Sequence, residues 1–254
     1  MRYEYKYIVP NNLLGPLRDY IIPFVELDKF VEKVQDHHYT VRSVYFDSPV
    51  FDFYFEKVEG IKNRKKVRLR GYDNNGPDDI VFLEIKRKYD IPIIKYRAPL
   101  IYRNALNIFK EQNLNGYAID KLSNMEGYQN SKRFFYQVFS KNLRPVVLVV
   151  YEREPYLSKF DKTVRITFDK NLRGEGYPSV ENLYDGDRLV SALHNKFIME
   201  VKFNHSFPGW LNPAISKFGL KKQSASKYVM TMDAVKVVRR LTKSTIYTHS
   251  KWYN

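Results

Sequence analysis

Cysteine is missing from this chain of 254 residues, and several other reactive residue types are scarce. Without a thiol the protein can form no disulfide, no thiolate metal site and no cysteine nucleophile. Histidine occurs only five times, and His37, His38, His194, His205 and His249 are scattered outside the patterned segments described below. We interpret all five histidines as surface or structural residues. The sequence therefore offers no convincing histidine for acid–base catalysis.

Long apolar runs are also absent. No stretch approaches the roughly 20 residues that cross a bilayer as a helix. The first residues, Met1 to Glu4, do not begin a charged lead followed by the apolar segment of a secretory signal. We therefore expect a cytoplasmic protein with no transmembrane segment. No internal repeat, low-complexity tract or linker rich in Pro, Gly or Ser divides the chain, so we expect residues 1–254 to form a single domain.

Acidic residues are much fewer than basic residues. The chain has 43 Lys and Arg against 28 Asp and Glu, a formal net charge of +15. Such an excess implies an anionic partner, which could be nucleic acid, a membrane surface or polyphosphate. A nucleic-acid binder tends to place its basic residues on a helix, an exposed stripe or a disordered tail. Here many of them lie in strand-like segments, so we do not expect nucleic acid as the primary partner.

Eight segments alternate polar and apolar residues with a period of two, which predicts strands with one buried face. They are residues 2–9, 41–47, 64–72, 80–88, 93–99, 146–154, 162–169 and 196–203. Three-to-four spacing of apolar residues, or a polar residue that could cap a helix, predicts helices at 11–24, 103–114, 131–143, 213–218 and 226–241. The strands outnumber the helices, which indicates a β-rich α+β fold.

The polar faces of these strands are mostly of one sign. Twelve basic residues lie on them, against four acidic ones. The basic residues are Arg2, Lys6, Lys66, Arg68, Arg70, Lys86, Lys88, Lys95, Arg97, Arg153, Arg165 and Lys202, and the acidic residues are Glu4, Glu84, Asp169 and Glu200. A solvated face usually mixes both signs, because like charges opposite one another on neighbouring strands are destabilising. The pattern therefore indicates a strongly negative ligand.

The few carboxylates on these faces have two possible roles. Acidic groups beside a phosphate are useful when Mg²⁺ or Mn²⁺ bridges the two, since these cations take one or two carboxylates together with phosphate oxygens and water. Glu200 and Glu84 fit that role. A plain ion pair with a neighbouring Lys or Arg is an equally good interpretation of each from spacing alone.

These motifs together resemble a known family. The matching residues, in chain order, are Arg2, Glu4, Lys6, Tyr7, Ser43, Tyr45, Phe46, Asp47, Lys66, Val67, Arg68, Leu69, Arg70, Glu84, Lys86, Glu200, Lys202, Ser226 and Lys227. The pattern resembles the VTC polyphosphate polymerase domain of the triphosphate tunnel metalloenzymes. The resemblance implies an antiparallel eight-stranded β-barrel around a basic tunnel, with helices packed outside and a C-terminal helix at the tunnel mouth.

The resemblance also implies roles for individual residues. As catalytic residues it implies Arg68, Arg70, Lys86, Arg165 and Glu200. As phosphate-binding residues it implies Lys6, Lys66, Lys95, Arg97, Arg153, Lys202 and Lys227. Divalent metal, Mn²⁺ or Mg²⁺, would be held by Glu200, with Glu84 and Glu4 as further candidates. Tyr45 matches a family position as well, although it could equally be a wall residue of the barrel.

One departure from the family pattern bears on the reaction. Hydrolytic members of the superfamily begin with a strand that carries two glutamates and a lysine at alternate positions, and Arg2 replaces the first glutamate here. Fewer carboxylates hold a metal less firmly and offer less for activating water. We therefore expect transfer of the terminal phosphoryl group of ATP to inorganic polyphosphate.

Two alternatives remain open at this point. The first is a metal-dependent hydrolase of tripolyphosphate or nucleoside triphosphates, in which Glu4 and Glu84 help to orient water. The second is a non-catalytic module that binds polyphosphate or RNA, for which the net charge alone would suffice. An outer basic surface could feed an anionic chain to the site, though a solvated face is the better explanation of its residues, which are Lys62, Lys65, Lys221, Lys222, Arg239 and Arg240. Residues 243–254 carry no motif.

Overall fold

A computed structural model of the chain describes residues 2–32, 34, 36–73, 76–89, 93–114 and 125–238. Within these ranges the strands are β1 (Tyr3–Pro10), β2 (Val25–Leu27), β3 (Tyr39–Asp47), β4 (Arg64–Tyr72), β5 (Ile80–Lys88), β6 (Ile93–Ile101), β7 (Arg144–Ser158), β8 (Arg165–Gly176), β9 (Val190–Ser191) and β10 (Lys196–Phe203). The α-helices are α1 (Leu14–Ile21), α2 (Asp52–Val58), α3 (Tyr102–Glu111), α4 (Met125–Ser140), α5 (Asn212–Lys217) and α6 (Lys227–Ala234).

The expected α+β fold class, an antiparallel sheet accompanied by helices, is confirmed. The described strands do not form the closed eight-stranded barrel that the resemblance implied, because their pairing order is open. The structure has ten strands in the described ranges where eight were expected. The two additional strands, β2 and β9, are three and two residues long, which is too short for an alternating pattern to reveal. The order in which the strands pair has two ends, β1 and β6.

The predicted helices are present, although most are shorter than the predicted segments. The end of the helix predicted at 226–241 lies outside the described residues, while α6 covers its first part. Helix α2 was not predicted. It follows Phe51, whose φ of 62° is left-handed, and its first amide groups donate to the side chains of Asp47 and Ser48. None of the helices in the described part of the chain has the length and hydropathy needed to cross a membrane.

The chain divides into two compact units whose segments alternate along the sequence. Unit 1 consists of Met1–Val41, Val150–Arg173 and Leu193–Lys227, and unit 2 of Arg42–Val149, Gly174–Ala192 and Tyr228–Asn254. Strands β3, β7 and β8 have residues in both units. In unit 1 the pairing order is β1, β10, β8 and β7, and β2 pairs with β7. In unit 2 it is β3, β4, β5 and β6.

The core of unit 1 forms on the apolar face of β1, β8 and β10. Its strand residues are completely or almost completely buried, and helix α1 contributes Leu17 and Ile21. The strand residues are Tyr7, Val9, Ile166, Phe168, Phe197, Met199, Val201 and Phe203. The side chains that alternate with them are those of the predicted basic face, so this core fixes the direction in which the charged groups point.

The core of unit 2 forms in the same way on β4, β5 and β6. Their apolar residues are buried, and helices α3 and α4 lie against β6. The buried strand residues are Val67, Leu69, Val81, Leu83, Ile85, Ala98 and Leu100. The helices add an aromatic group in which Phe134 and Phe135 pack edge to face at a centroid distance of 5.5 Å. The predicted arginines and lysines occupy the positions that alternate with these buried residues.

A close approach of α6 to β8 generates a prediction about Gly174. A Cβ atom at Gly174 would overlap the carbonyl oxygen of Leu148 and the methyl group of Thr231. Since a backbone oxygen cannot move aside, we expect Gly174→Ala to lower the free energy of unfolding by about 1–3 kcal/mol. Gly15 in α1 has no atom within 4 Å of such a Cβ, so Gly15→Ala is the control. An unchanged urea midpoint for Gly174→Ala would contradict this packing.

The buried carboxylate of Glu154 generates a prediction about acid stability. Glu154 accepts hydrogen bonds from Arg18 Nε at 2.8 Å, Arg18 Nη2 at 2.9 Å, Lys170 Nζ at 3.1 Å and the Tyr156 hydroxyl. Burial alone would raise the pKa of Glu154, but these partners outweigh it and lower the pKa to about 2. The stabilisation is therefore present above the ordinary pKa of 4.5 and is lost as the pH falls towards 2.

We expect Glu154→Gln to lower the free energy of unfolding at pH 7 by about 2 kcal/mol, because the substitution leaves the cations of Arg18 and Lys170 without their carboxylate. The difference from the wild type should shrink between pH 4.5 and pH 2, as urea denaturation at a series of pH values will measure. A difference that stays constant over this range would show that the charge of Glu154 does not stabilise the fold.

Candidate functional site

Most of the predicted site residues fall into three groups, one in unit 1 and two in unit 2. Lys6, Arg153, Glu200, Lys202 and Lys227 meet in unit 1 together with Asp169, and we call these six residues the Glu200 cluster. In unit 2, Arg68, Arg70 and Arg97 surround Glu84, and these four residues form the arginine cluster. Lys66, Lys86 and Lys95, which we call the lysine row, lie on the same three strands.

Glu200 is the centre of the cluster in unit 1. Lys6 on β1 lies opposite Glu200 on β10, and the carboxylate is only 4% exposed. Its oxygens are close to four cationic groups: Lys227 Nζ at 2.7 Å, Lys202 Nζ at 2.9 Å, Lys6 Nζ at 3.3 Å and Arg153 Nη2 at 3.7 Å. Burial would raise the pKa of Glu200, but these cations outweigh it and hold the pKa well below its usual range.

Asp169 is a second carboxylate in this cluster to which the sequence analysis gave no role. It is completely buried and accepts two hydrogen bonds from Arg153, at 2.7 and 2.8 Å. It also pairs with Lys227. Arg153 and Lys227 both lie over the ring of Tyr151, at 5.3 and 4.8 Å. The alternation of β8, which puts Asp169 on the face of Arg165, was the signal that could have identified it.

Glu4 adds a carboxylate beside the Glu200 cluster, and this arrangement bears on metal binding. Lys6 Nζ is 3.2 Å from Glu4 and 3.3 Å from Glu200, so the two carboxylates converge on one positive charge. Within the described ranges no three His, Asp or Glu side chains are grouped as a metal site. Glu4 and Glu200 could still supply the one or two carboxylates that Mg²⁺ takes when phosphate oxygens and water complete its coordination.

Arg165 is in unit 1 but has a different partner. Its Nη2 is 3.1 Å from a carboxylate oxygen of Asp28, a buried residue that follows β2. On the sheet Arg165 lies directly opposite Lys202. The sequence gave no reason to expect Asp28 at this place, because it belongs to a loop and to no alternating segment.

The arginine cluster in unit 2 is arranged by strand register. Arg68 on β4 and Arg97 on β6 both lie opposite Glu84 on β5. Arg68 Nε donates to Glu84 at 2.6 Å, while Arg97 Nε is 3.4 Å and Arg70 Nε 3.9 Å from its carboxylate oxygens. Burial would raise the pKa of Glu84, but the three arginines outweigh it and lower the pKa to about 2. Glu84 thus stays ionised and holds the three guanidinium groups together.

Aromatic side chains fix two of these arginines further. Arg68 Nη1 donates a hydrogen bond of 2.7 Å to the hydroxyl of Tyr45. The guanidinium carbon of Arg97 is 3.6 Å from the ring centroid of Phe82, which is a cation–π contact. Tyr45 is therefore both a buried wall residue and a partner of a predicted phosphate-binding arginine. Phe82 was not predicted as a site residue.

The lysine row places three like charges side by side. Lys86 on β5 lies directly opposite Lys66 on β4 and directly opposite Lys95 on β6. Lys66 and Lys86 are half-buried, and Lys95 is exposed. Like charges opposite one another on neighbouring strands destabilise a sheet. An anion bound between the lysines would remove that cost, so the row has the properties of an anion-binding site.

Two parts of the sequence prediction lie outside the described residues. These are Arg239 and Arg240 of the expected outer basic surface, together with the segment 243–254. Of that surface's remaining members, Lys65 has a partner in the side chain of Gln137, and the ammonium group of Lys222 lies 3.7 Å from the ring centroid of Tyr5.

Comparison with known proteins identifies a family. The model of the family described as "VTC domain" matches residues 1–236. A curated relative is vacuolar transporter chaperone complex subunit 4 of Schizosaccharomyces pombe, which is 26% identical over 252 residues. The alignment covers 85% of this chain and 34% of the relative, so the chain spans about a third of that protein's length.

The fold resembles that of a solved structure. A putative adenylate cyclase from Bacillus halodurans has a TM-score of 0.50 and 10% identity, with 89% of this chain and 94% of that chain covered. A putative adenylyl cyclase from Hippeastrum, described as having a dominant triphosphatase activity, has a TM-score of 0.48 and 13% identity, with 92% and 96% covered. At these identities the likeness to the first structure concerns the fold alone.

The lysine row generates a prediction that does not depend on any enzymatic activity. Lys86→Met removes the central charge and keeps an apolar side chain of similar length. We expect tripolyphosphate to raise the melting temperature of the wild type, and we expect a smaller rise for Lys86→Met because the central positive charge of the row is gone.

The control for Lys86→Met is Lys162→Met, which removes one positive charge from an exposed lysine paired with Glu26. This control should leave the effect of tripolyphosphate on the melting temperature unchanged. A loss of stability in Lys86→Met without ligand, combined with a full response to tripolyphosphate, would contradict the interpretation of the row as an anion site.

Proposed function

This chain belongs to the VTC domain family, and we propose that it is a polyphosphate polymerase, which transfers the terminal phosphoryl group of ATP to a growing inorganic polyphosphate chain. The proposal extends to one functional domain over residues 1–254, since a single family match runs through segments of both units. The name of the curated relative, a subunit of a vacuolar transporter chaperone complex, agrees with this family assignment.

The observation that carries the proposal is the charge of the polar face of β4, β5 and β6. The arginine cluster and the lysine row bring six cationic side chains to this face, and Glu84 is the only carboxylate in either group. Six of these seven side chains are cationic. A polyanion such as a chain of linked phosphates complements a face of this charge.

The chemistry requires little more from the protein than alignment and charge. A terminal phosphate oxygen of polyphosphate is already anionic, so it needs no general base to attack the terminal phosphorus of ATP. Arg68, Arg70 and Lys86 would hold the triphosphate in line and stabilise the charge on the phosphoryl oxygens during transfer. Glu84 keeps the arginines in place, because its carboxylate contacts Arg68, Arg70 and Arg97.

We propose that the Glu200 cluster binds phosphate oxygens and a divalent metal ion together. Glu200, with Glu4, would hold Mn²⁺ or Mg²⁺, and Lys6, Arg153, Lys202 and Lys227 would contact phosphates. The metal would contribute neutralisation of phosphate charge. Glu84 was a further candidate for this role, but its contacts with three arginines favour a role in ordering them. Arg165 completes the phosphate-binding set.

We also propose that the reaction takes place in the cytoplasm, where ATP is available as the donor. ATP and inorganic polyphosphate would then be the main partners. Cell fractionation tests this part of the proposal independently of the activity assay. We expect the protein in the cytoplasmic fraction and not in the membrane fraction.

The direct test is incubation of the purified protein with ATP and Mn²⁺, followed by gel analysis of the products. We expect a ladder of polyphosphate chains.

Arg68→Ala should reduce the rate by about 10²–10³-fold, because it removes a charged donor at the reacting group. Arg103→Ala, which removes an arginine that is 59% exposed and paired with Asp78, should retain the wild-type rate.

Other outcomes distinguish the alternatives. Release of orthophosphate without any polymer would replace the polymerase with a hydrolase of tripolyphosphate or nucleoside triphosphates. Binding of polyphosphate without metal and without turnover would indicate a binding module. If Arg68→Ala unfolds the protein, the effect on the rate is structural, so circular dichroism of each variant accompanies the assay.

A further inference from the structure

Asp47, the last residue of β3, is held in place by several donors. Its carboxylate is completely buried and accepts hydrogen bonds from the backbone amides of Ser48 at 2.8 Å and of Phe53 and Tyr54 at 2.9 Å. A fourth hydrogen bond, of 2.5 Å, comes from the hydroxyl of Tyr228. Since three of the donors are backbone amides, two of them at the start of α2, the carboxylate is a fixed anchor for the tyrosine.

Tyr228 in turn contacts two groups that belong to the proposed phosphate site. Its ring stacks on the ring of Tyr45, with centroids 4.9 Å apart and an angle of 25° between the planes. The ammonium nitrogen of Lys66 lies 5.8 Å from the centroid of the same ring. Tyr45 accepts the hydrogen bond of Arg68 Nη1. A continuous chain of contacts thus joins Asp47, Tyr228, Tyr45 and Arg68, and all four residues belong to unit 2.

We propose that Tyr228, anchored by Asp47, is a positioning residue that fixes the guanidinium group of Arg68 through Tyr45 for the binding of a phosphate group. This inference rests on the proposed function, because it assumes that Arg68 binds phosphate. Nothing in the pattern of basic residues indicates it, since neither Tyr228 nor Asp47 carries positive charge.

The geometry explains why Arg68 needs a second support. Glu84 contacts Arg68 at Nε and Nη2, so it holds one edge of the guanidinium plane. Tyr45 holds Nη1, which is the remaining nitrogen. Two supports at different edges fix the orientation of the plane, and a fixed plane is required for an arginine to donate two parallel hydrogen bonds to a phosphate.

The ionisation states agree with this role. Burial and the adjacent carboxylate of Asp47 raise the pKa of Tyr228 well above its ordinary value, so the hydroxyl keeps its proton and remains a donor. Burial raises the pKa of Asp47 to about 6, against the opposing effect of its four hydrogen bonds. At neutral pH Asp47 is therefore largely ionised and accepts a hydrogen bond from the protonated hydroxyl of Tyr228.

The test uses Tyr228→Phe, which keeps the stacked ring and removes only the hydroxyl. We expect the dissociation constant for tripolyphosphate, measured by calorimetry, to rise by about tenfold, as is typical when a group that orients a ligand-binding residue is removed. Tyr45→Phe should weaken binding at least as much. Tyr54→Phe is the matched control. The ring of Tyr54 lies against Tyr228, but its hydroxyl donates to Asp233 and is not one of the contacts that join Asp47 to Arg68.

A double-mutant cycle with Arg68→Ala separates positioning from packing. If Tyr228 acts through Arg68, Tyr228→Phe has no further effect on the dissociation constant once Arg68 is absent. Its effect on the melting temperature should persist in both backgrounds, because the lost hydrogen bond to Asp47 is the same. An equal loss of affinity with and without Arg68, or no loss in either background, would overturn the positioning role.

Failure of this inference can be told apart from failure of the proposed function. If the wild type binds tripolyphosphate and Tyr228→Phe binds equally well, only the positioning role is wrong. If the wild type does not bind tripolyphosphate at all, both proposals are wrong. If the wild type binds tripolyphosphate but makes no polymer, the double-mutant cycle can still be interpreted, because it measures affinity and not turnover.

Discussion

The repulsion between like charges on neighbouring strands is the constraint on which the rest of this structure depends. Lys66, Lys86 and Lys95 lie directly opposite one another, and four cationic groups surround Glu200. Apolar cores on the other faces of the strands force these side chains into their positions, since a shift of one residue would exchange the two faces. The fold therefore brings like charges together, and the proposed anionic ligand would reduce their repulsion.

The two main carboxylates act differently within this constraint. Glu84 is surrounded only by arginines, whose planar groups it gathers. Glu200 is surrounded mostly by lysines and lies near Glu4 through a shared contact with Lys6. Flexible ammonium groups can leave a carboxylate more easily than a bidentate guanidinium can. This difference is why we assign the ordering of arginines to Glu84 and the binding of metal to Glu200.

Much of the fold was predictable from alternation alone, and the limits have physical reasons. The bounds of β4, β5 and β10 agree with the prediction because each combines an apolar face with a charged face. Helix α2 was missed because its start is stabilised by Asp47 from outside the usual N-cap position, which the spacing of apolar residues does not reveal. The charged site residues were predictable as members of a face. Their partners were not, since Asp28 and Tyr228 reach the site residues through tertiary contacts.

The most direct test of the central claim is a crystal structure of the protein with tripolyphosphate bound. The account predicts phosphate groups between the strands, in contact with Arg68 and Lys86 in unit 2 or with the lysines around Glu200 in unit 1. It also predicts that the like charges of the lysine row are separated by phosphate oxygens. Phosphate bound only at exposed lysines such as Lys221, with the arginine cluster and the Glu200 cluster unchanged, would contradict it.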